Sequence, residues 1–149
     1  MNILTENYKL YLGDCLEVMD KLIEQGVVVD AIITDPPFGT TKCKWDSVIP
    51  FDEMWSKLNK LIKPNGAIVL FSSQPFTSNL VMSNIKNFKY DWIWNKRLAG
   101  NGILAKKQPL KIHEIVSVFN TSVYYPQMVK GKFRRKMGVL DGGHGIPPA

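Results

Sequence analysis

The chain has 149 residues, of which 45% are hydrophobic, 21% charged and 11% aromatic, the make-up of one globular domain rather than a disordered or low-complexity polymer. No apolar run approaches the about eighteen residues of a membrane span, and the opening Met1–Glu6 segment lacks a basic-then-apolar secretion pattern. Cys15 and Cys43 have neither disulfide nor metal-ligand spacing and read as reduced thiols of a cytoplasmic protein. The net charge of +6 is lopsided: residues 1–95 carry 9 Lys/Arg against 11 Asp/Glu, whereas residues 96–149 carry 10 against 2. Such a basic half is either a solvated tail or a surface for a polyanion, and charge alone does not separate the two.

In chain order, Tyr8–Leu12 alternates like a short strand and runs into Gly13-Asp14. Leu16, Met19, Leu22 and Ile23 then recur at helical spacing until Gly26 closes the helix. Val27–Thr34 is β-branched and almost continuously apolar, the pattern of a strand buried on both faces. It stops at Asp35-Pro36-Pro37-Phe38. A polar loop leads to a helix over Phe51–Ile62, and Pro64-Asn65-Gly66 turns the chain into a second buried strand, Ala67–Phe71. A helix over Phe76–Ile85, a strand over Tyr90–Asn95, a long loop and a strand over Glu114–Phe119 complete the pattern. Strand and helix in alternation imply an α/β domain with a mostly parallel sheet, whose ligands bind at strand-end loops. Residues 1–123 form this domain. Residues 124–149 read as a basic, Gly- and Pro-rich tail.

Asp35-Pro36-Pro37-Phe38 follows the most apolar strand. Two prolines fix the backbone and lack N–H groups, so a carboxylate and carbonyls are aimed rigidly, and an aromatic face follows at once. Acceptors beside a π-face suit the exocyclic amine of a base taken out of the stack. A plain strand-ending turn is the competing reading.

At these residues the chain resembles the amino-methylating DNA methyltransferases that use S-adenosylmethionine (SAM), in the order that puts the catalytic half first. The resemblance rests on Gly13-Asp14-Cys15-Leu16, on Val29–Phe38 with its Asp35-Pro36-Pro37-Phe38, and on Gly66–Phe71. Tyr90–Lys96, Ala105–Leu110, His113-Glu114-Ile115 and Tyr125–Met128 are similar to the phage and prophage branch. The resemblance implies a Rossmann-like SAM methyltransferase fold. It implies that Asp35 and Pro36 accept hydrogen bonds from the target amine and that Phe38 stacks on the base, with Pro37 the second of the two prolines that fix the backbone. Aspartate in the first position resembles the adenine-N6 enzymes, with cytosine-N4 or RNA as alternative targets. Asp14 matches the acid that contacts the adenine of SAM, and it is equally a helix N-cap.

His113 reads as structural, and Trp92 and Trp94 as core. Trp45, in the polar loop, is the aromatic placed to touch DNA. Lys96, Arg97, Lys106, Lys107, Lys111, Lys130, Lys132, Arg134, Arg135 and Lys136, interleaved with Tyr124, Tyr125 and Phe133, are phosphate-contact candidates. The family's glycine-rich SAM loop has no counterpart after an apolar strand. The resemblance therefore implies an incomplete fold, with the tail as the start of a target-recognition region. It leaves three expectations open: an active enzyme, an inactive DNA-binding remnant, or one half of a split enzyme that pairs with a complementary chain. DNA is the expected partner and no membrane is expected.

Overall fold

The computed structural model describes residues 3–4, 7–128 and 130–131. Two short strands, β1 (Ile3–Leu4) and β2 (Lys9–Leu10), pair antiparallel with each other. The alternation at Tyr8–Leu12 therefore yields a two-residue strand outside the main sheet. Helix α1 (Cys15–Glu24) begins where the Asp14 carboxylate accepts from the backbone N–H groups of Leu16 (2.8 Å) and Glu17 (3.4 Å), satisfying donors that a first turn leaves free. Its apolar stripe is half-buried. The helix is tied to α2 (Phe51–Leu61) by Asp20 and Lys57 at 2.5 Å.

The main sheet contains β3 (Val29–Thr34), β4 (Ile62–Ser72), β5 (Phe88–Asn95) and β6 (His113–Phe119), in the order β3-β4-β6-β5. β3 and β4 pair in parallel, and β6 runs antiparallel to both β4 and β5. The α/β class holds: β3, β4 and β5 run in one direction, as a mostly parallel sheet requires, and β6 alone is reversed. The cause lies in the 96–112 connection, which carries a single 3-10 turn (Gly102–Leu104) and no crossover helix, so the chain returns alongside β5 in the opposite direction.

Pro64-Asn65-Gly66, expected as a turn before the strand, is a bulge inside it. The register steps from Val29↔Ile62 to Ala31↔Ala67, Asn65 takes φ +64°, and a Cβ on Gly66 would stand 2.8 Å from the Asp30 carbonyl oxygen.

Helices α2 and α3 (Phe76–Ser83) cover one face of the sheet. Met54, Trp55, Leu58, Phe76 and Leu80 pack there on Ile68, Leu70 and Phe119, the last with its ring 4.9 Å from Trp55. The Trp55 indole N–H donates to Ser83 Oγ at 2.8 Å, so its polar end is satisfied while its body is buried.

The opposite face is open among the described residues. Ile33 is 69% exposed, Trp92 51% and Trp94 50%. With Val69, Phe71 and Val116 they line a shallow apolar cavity of about 710 Å³. Two expectations are corrected here. Val27–Thr34 does not form a strand buried on both faces, because among the described residues β3 (Val29–Thr34) is an edge strand paired only with β4. Trp92 and Trp94 are not core, because β5 is the other edge and their rings lie on the uncovered side.

Candidate nucleotide-handling site

The Asp35-Pro36-Pro37-Phe38 loop leaves the C-terminal end of β3, where a strand-end loop of an α/β sheet can reach a ligand. Asp35 borders three cavities at once. These are the open apolar one, one of about 280 Å³ walled by Pro36, Phe38, Thr41 and Trp45, and one of about 370 Å³ walled by Cys15, Met19, Ile32 and Pro37. Pro36 is buried and fixes the loop's exit. The Phe38 ring is backed by Phe76 at 5.2 Å, and Phe76 by Phe51 at 5.7 Å, so an aromatic stack rooted in the core holds Phe38 at the cavity wall. Trp45 is 74% exposed on the rim of the same cavity, opposite the proline pair in sequence but close to it in space.

The loop is braced from beneath by Asp46, a residue that sequence reasoning missed. Its carboxylate accepts from the backbone N–H of Gly39 (2.8 Å) and of Thr41 (2.6 Å), and the residue keeps only 8% of its surface exposed. A hydrogen bond from the Thr41 side chain, with those from the Gly39 and Thr41 backbone, holds its carboxyl below the ordinary aspartate range. Gly39, at φ +68°, makes the turn that lets the chain curl over this carboxylate. Nothing in the spacing of residues 35–46 marks Asp46 apart from any other loop acid.

Asp35 is perturbed in the opposite direction. Partial burial raises its pKa above the ordinary value, the nearby Glu114 carboxylate raises it further, and Lys96 pulls it back. Lys96 and Glu114 are themselves paired at 2.5 Å across β5 and β6. Lys96 thus stands beside the site as half of an ion pair. Glu114 belongs to the His113-Glu114-Ile115 segment, yet no sequence pattern gave it a role.

The remaining candidates scatter. Asp14 caps α1 through one oxygen, Oδ1, which receives both of its hydrogen bonds. Arg97, Lys106, Lys107 and Lys130 are exposed. Tyr124 and Tyr125 are exposed too, and the Tyr124 ring meets Tyr90 edge-on at 6.0 Å. Lys132, Arg134, Arg135 and Lys136, with Phe133, lie outside the described residues. Among the described residues no helix is long and apolar enough to cross a membrane.

A helix-backed mixed sheet with an acidic, proline-stiffened loop at a strand end defines a methyltransferase-like α/β fold. The chain resembles the crystal structure of the M1.HpyAVI–SAM complex over 83% of its length, with TM-score 0.60 and 24% identity. A second crystal structure of M1.HpyAVI gives TM-score 0.59 and 23% identity over 81% of the chain. The match spans 62% of the M1.HpyAVI chain in both cases, and at these identities it establishes the fold. No family model matches the chain, and neither does any curated protein.

Proposed function

We propose that this chain is the base-holding part of a DNA methyltransferase that moves a methyl group from SAM to the exocyclic N6 of a flipped adenine. The observation that carries this reading is Asp35-Pro36 at the end of β3, at the junction of three cavities, in a fold similar to that of a protein solved with SAM.

The chain's own residues would act by positioning. The Asp35 carboxylate accepts one amine hydrogen and the Pro36 carbonyl another, which turns the nitrogen lone pair away from the ring plane and toward an incoming methyl. Phe38, supported from behind by Phe76, offers a flat face to the purine. Trp45 at the rim is available to occupy the space the base leaves or to stack on a neighbour. Bound SAM supplies the electrophilic methyl. The residues present fit it in part: the cavity of about 370 Å³ is apolar and suits a flat ring, and Asp14 keeps Oδ2 outside its cap bonds. No strand, glycine-rich loop and helix in succession occur among the described residues.

The open apolar face favours a second reading within the same chemistry, in which a complementary methyltransferase segment covers Ile33, Trp92 and Trp94 and brings the rest of the SAM pocket. The test is transfer of tritiated methyl from SAM to unmethylated DNA. It is run with the chain alone and with an added methyltransferase segment carrying a strand and glycine-rich loop, Asp35→Ala alongside each. Label in adenine that Asp35→Ala abolishes without loss of DNA affinity supports the proposal, and label only in the mixture supports the complementary form. Absence of label in both, with DNA still bound, overturns it in favour of a non-enzymatic DNA-binding remnant.

A further inference from the structure

A further polar cavity of about 630 Å³ is lined by Phe38, Thr40 and Thr41, which follow Asp35, and by residues of the 96–112 connection. Its walls include Ser73, Gln74, Asn101, Gln108 and Lys111, together with the Lys96–Glu114 pair. Lys96 is neutralised by Glu114. Lys111 is not neutralised: among the described residues no carboxylate lies within ion-pair distance of its ammonium.

Lys111 is nevertheless held in place from two sides. Its backbone N–H donates to Asn101 Oδ1 at 2.9 Å, and the Asn101 amide bridges on to the Pro109 carbonyl, which fixes the end of the connection. Its Nζ donates to Ser73 Oγ just past the end of β4. Ordering a lysine side chain costs it rotamer freedom. Here that cost is offset by one neutral hydroxyl. A pre-ordered, half-buried lysine with no ion-pair partner among the described residues, beside amide side chains in a cavity that Phe38 also lines, is a site for an anionic group on a nucleotide.

We infer that Lys111 binds the phosphodiester flanking the nucleotide whose base enters the Asp35 loop, with Asn101 and Ser73 as positioning residues. The inference rests on the base-holding reading and specifies where the strand runs past that loop. Phosphate contacts of this kind fix register and carry no sequence information. Lys111 would therefore set how the flipped nucleotide is presented rather than which site is chosen.

The test measures binding and needs no methyl transfer, so its failure is distinct from failure of the activity assay. The full chain is titrated by fluorescence anisotropy against a duplex holding one adenine opposite an abasic site, over a series of salt concentrations. Lys111→Met is expected to weaken binding about tenfold and to lower the salt-dependence slope by about one, whereas Lys111→Arg retains the slope. Replacing the phosphate on one side of that adenine by a neutral methylphosphonate is expected to weaken the wild type by the same factor and to leave Lys111→Met unchanged. Ser73→Ala, which keeps the charge and removes its anchor, should give a smaller loss with the slope intact. The inference is overturned if Lys111→Met, folded by circular dichroism, binds as the wild type does. It is equally overturned if methylphosphonates on either side weaken wild type and Lys111→Met alike.

Discussion

The uncovered sheet face makes a prediction whose size follows from exposure. Trp92 and Trp94 leave 51% and 50% of their surface in solvent on an edge strand. A whole indole side chain presents roughly 250 Å², so the pair leaves on the order of 250 Å² uncovered, equivalent at about 25 cal/mol per Å² to about 6 kcal/mol for whatever buries it. Association dissipates much of such a figure, yet even about 2 kcal/mol corresponds to roughly thirtyfold in an association constant. Threonine suits an edge strand and is polar, so the double substitution Trp92→Thr/Trp94→Thr removes the apolar surface with little cost to β5. In sedimentation velocity the wild-type chain is expected to self-associate with rising concentration and to bind an apolar dye. The double variant is expected to run as a monomer, bind little dye and keep its far-ultraviolet spectrum. A wild-type chain that stays monomeric and dye-free, or a double variant that associates as strongly, refutes the reasoning.

Two further predictions concern single groups. On the proposed base-holding reading Asp35 must be ionised to accept from an amine, and its raised pKa would place loss of activity on the acid side of the profile. Removing the Glu114 charge (Glu114→Gln) should move that acid limb to lower pH, and Lys96→Met should move it to higher pH; equal shifts in one direction would dismiss the electrostatic coupling. The raised value also means that the folded state holds this proton longer than the unfolded chain, so the Asp35 contribution to stability declines as pH rises through the window just above the ordinary aspartate value. Ser117 Oγ, fully buried in β6, has no hydrogen-bond partner among the described residues. Ser117→Ala should therefore be neutral or raise stability by up to about 1 kcal/mol in urea unfolding, and a loss greater than that would mean the hydroxyl is satisfied.

The elements that local chemistry dictates were legible in the sequence. Asp14 before an apolar-periodic run marks the start of α1 as an N-cap, and the β-branched apolar runs at Val27–Thr34 and Ala67–Phe71 read as strands. What failed was inference from apolarity to burial. Hydrophobicity along β3 and β5 records what these strands are able to pack against, while their observed exposure records what lies beside them, and only the second depends on the rest of the sheet. The antiparallel entry of β6 escaped for a related reason, since strand direction is set by the connection and not by the strand.

The same division runs through the site. Asp35 through Asp46 is one local unit, in which prolines fix the exit, Gly39 turns the chain and Asp46 gathers the amides beneath. A local unit leaves a local signature, and Asp35-Pro36-Pro37-Phe38 is it. The groups that set the charge around Asp35 are contributed by distant segments, Lys96 from beyond β5 and Glu114 from β6, and Lys111 is aimed by Ser73 from just beyond β4. Their pairing depends on an antiparallel register of Trp94 against Glu114 and Asn95 against His113 that no spacing in the chain encodes. If base holding is the work of the local loop, substitutions at Lys96, Glu114 and Lys111 should alter pH dependence and strand affinity while Asp35 alone decides whether any methyl is transferred. That separation distinguishes a site whose chemistry is written in one motif from one assembled by the sheet.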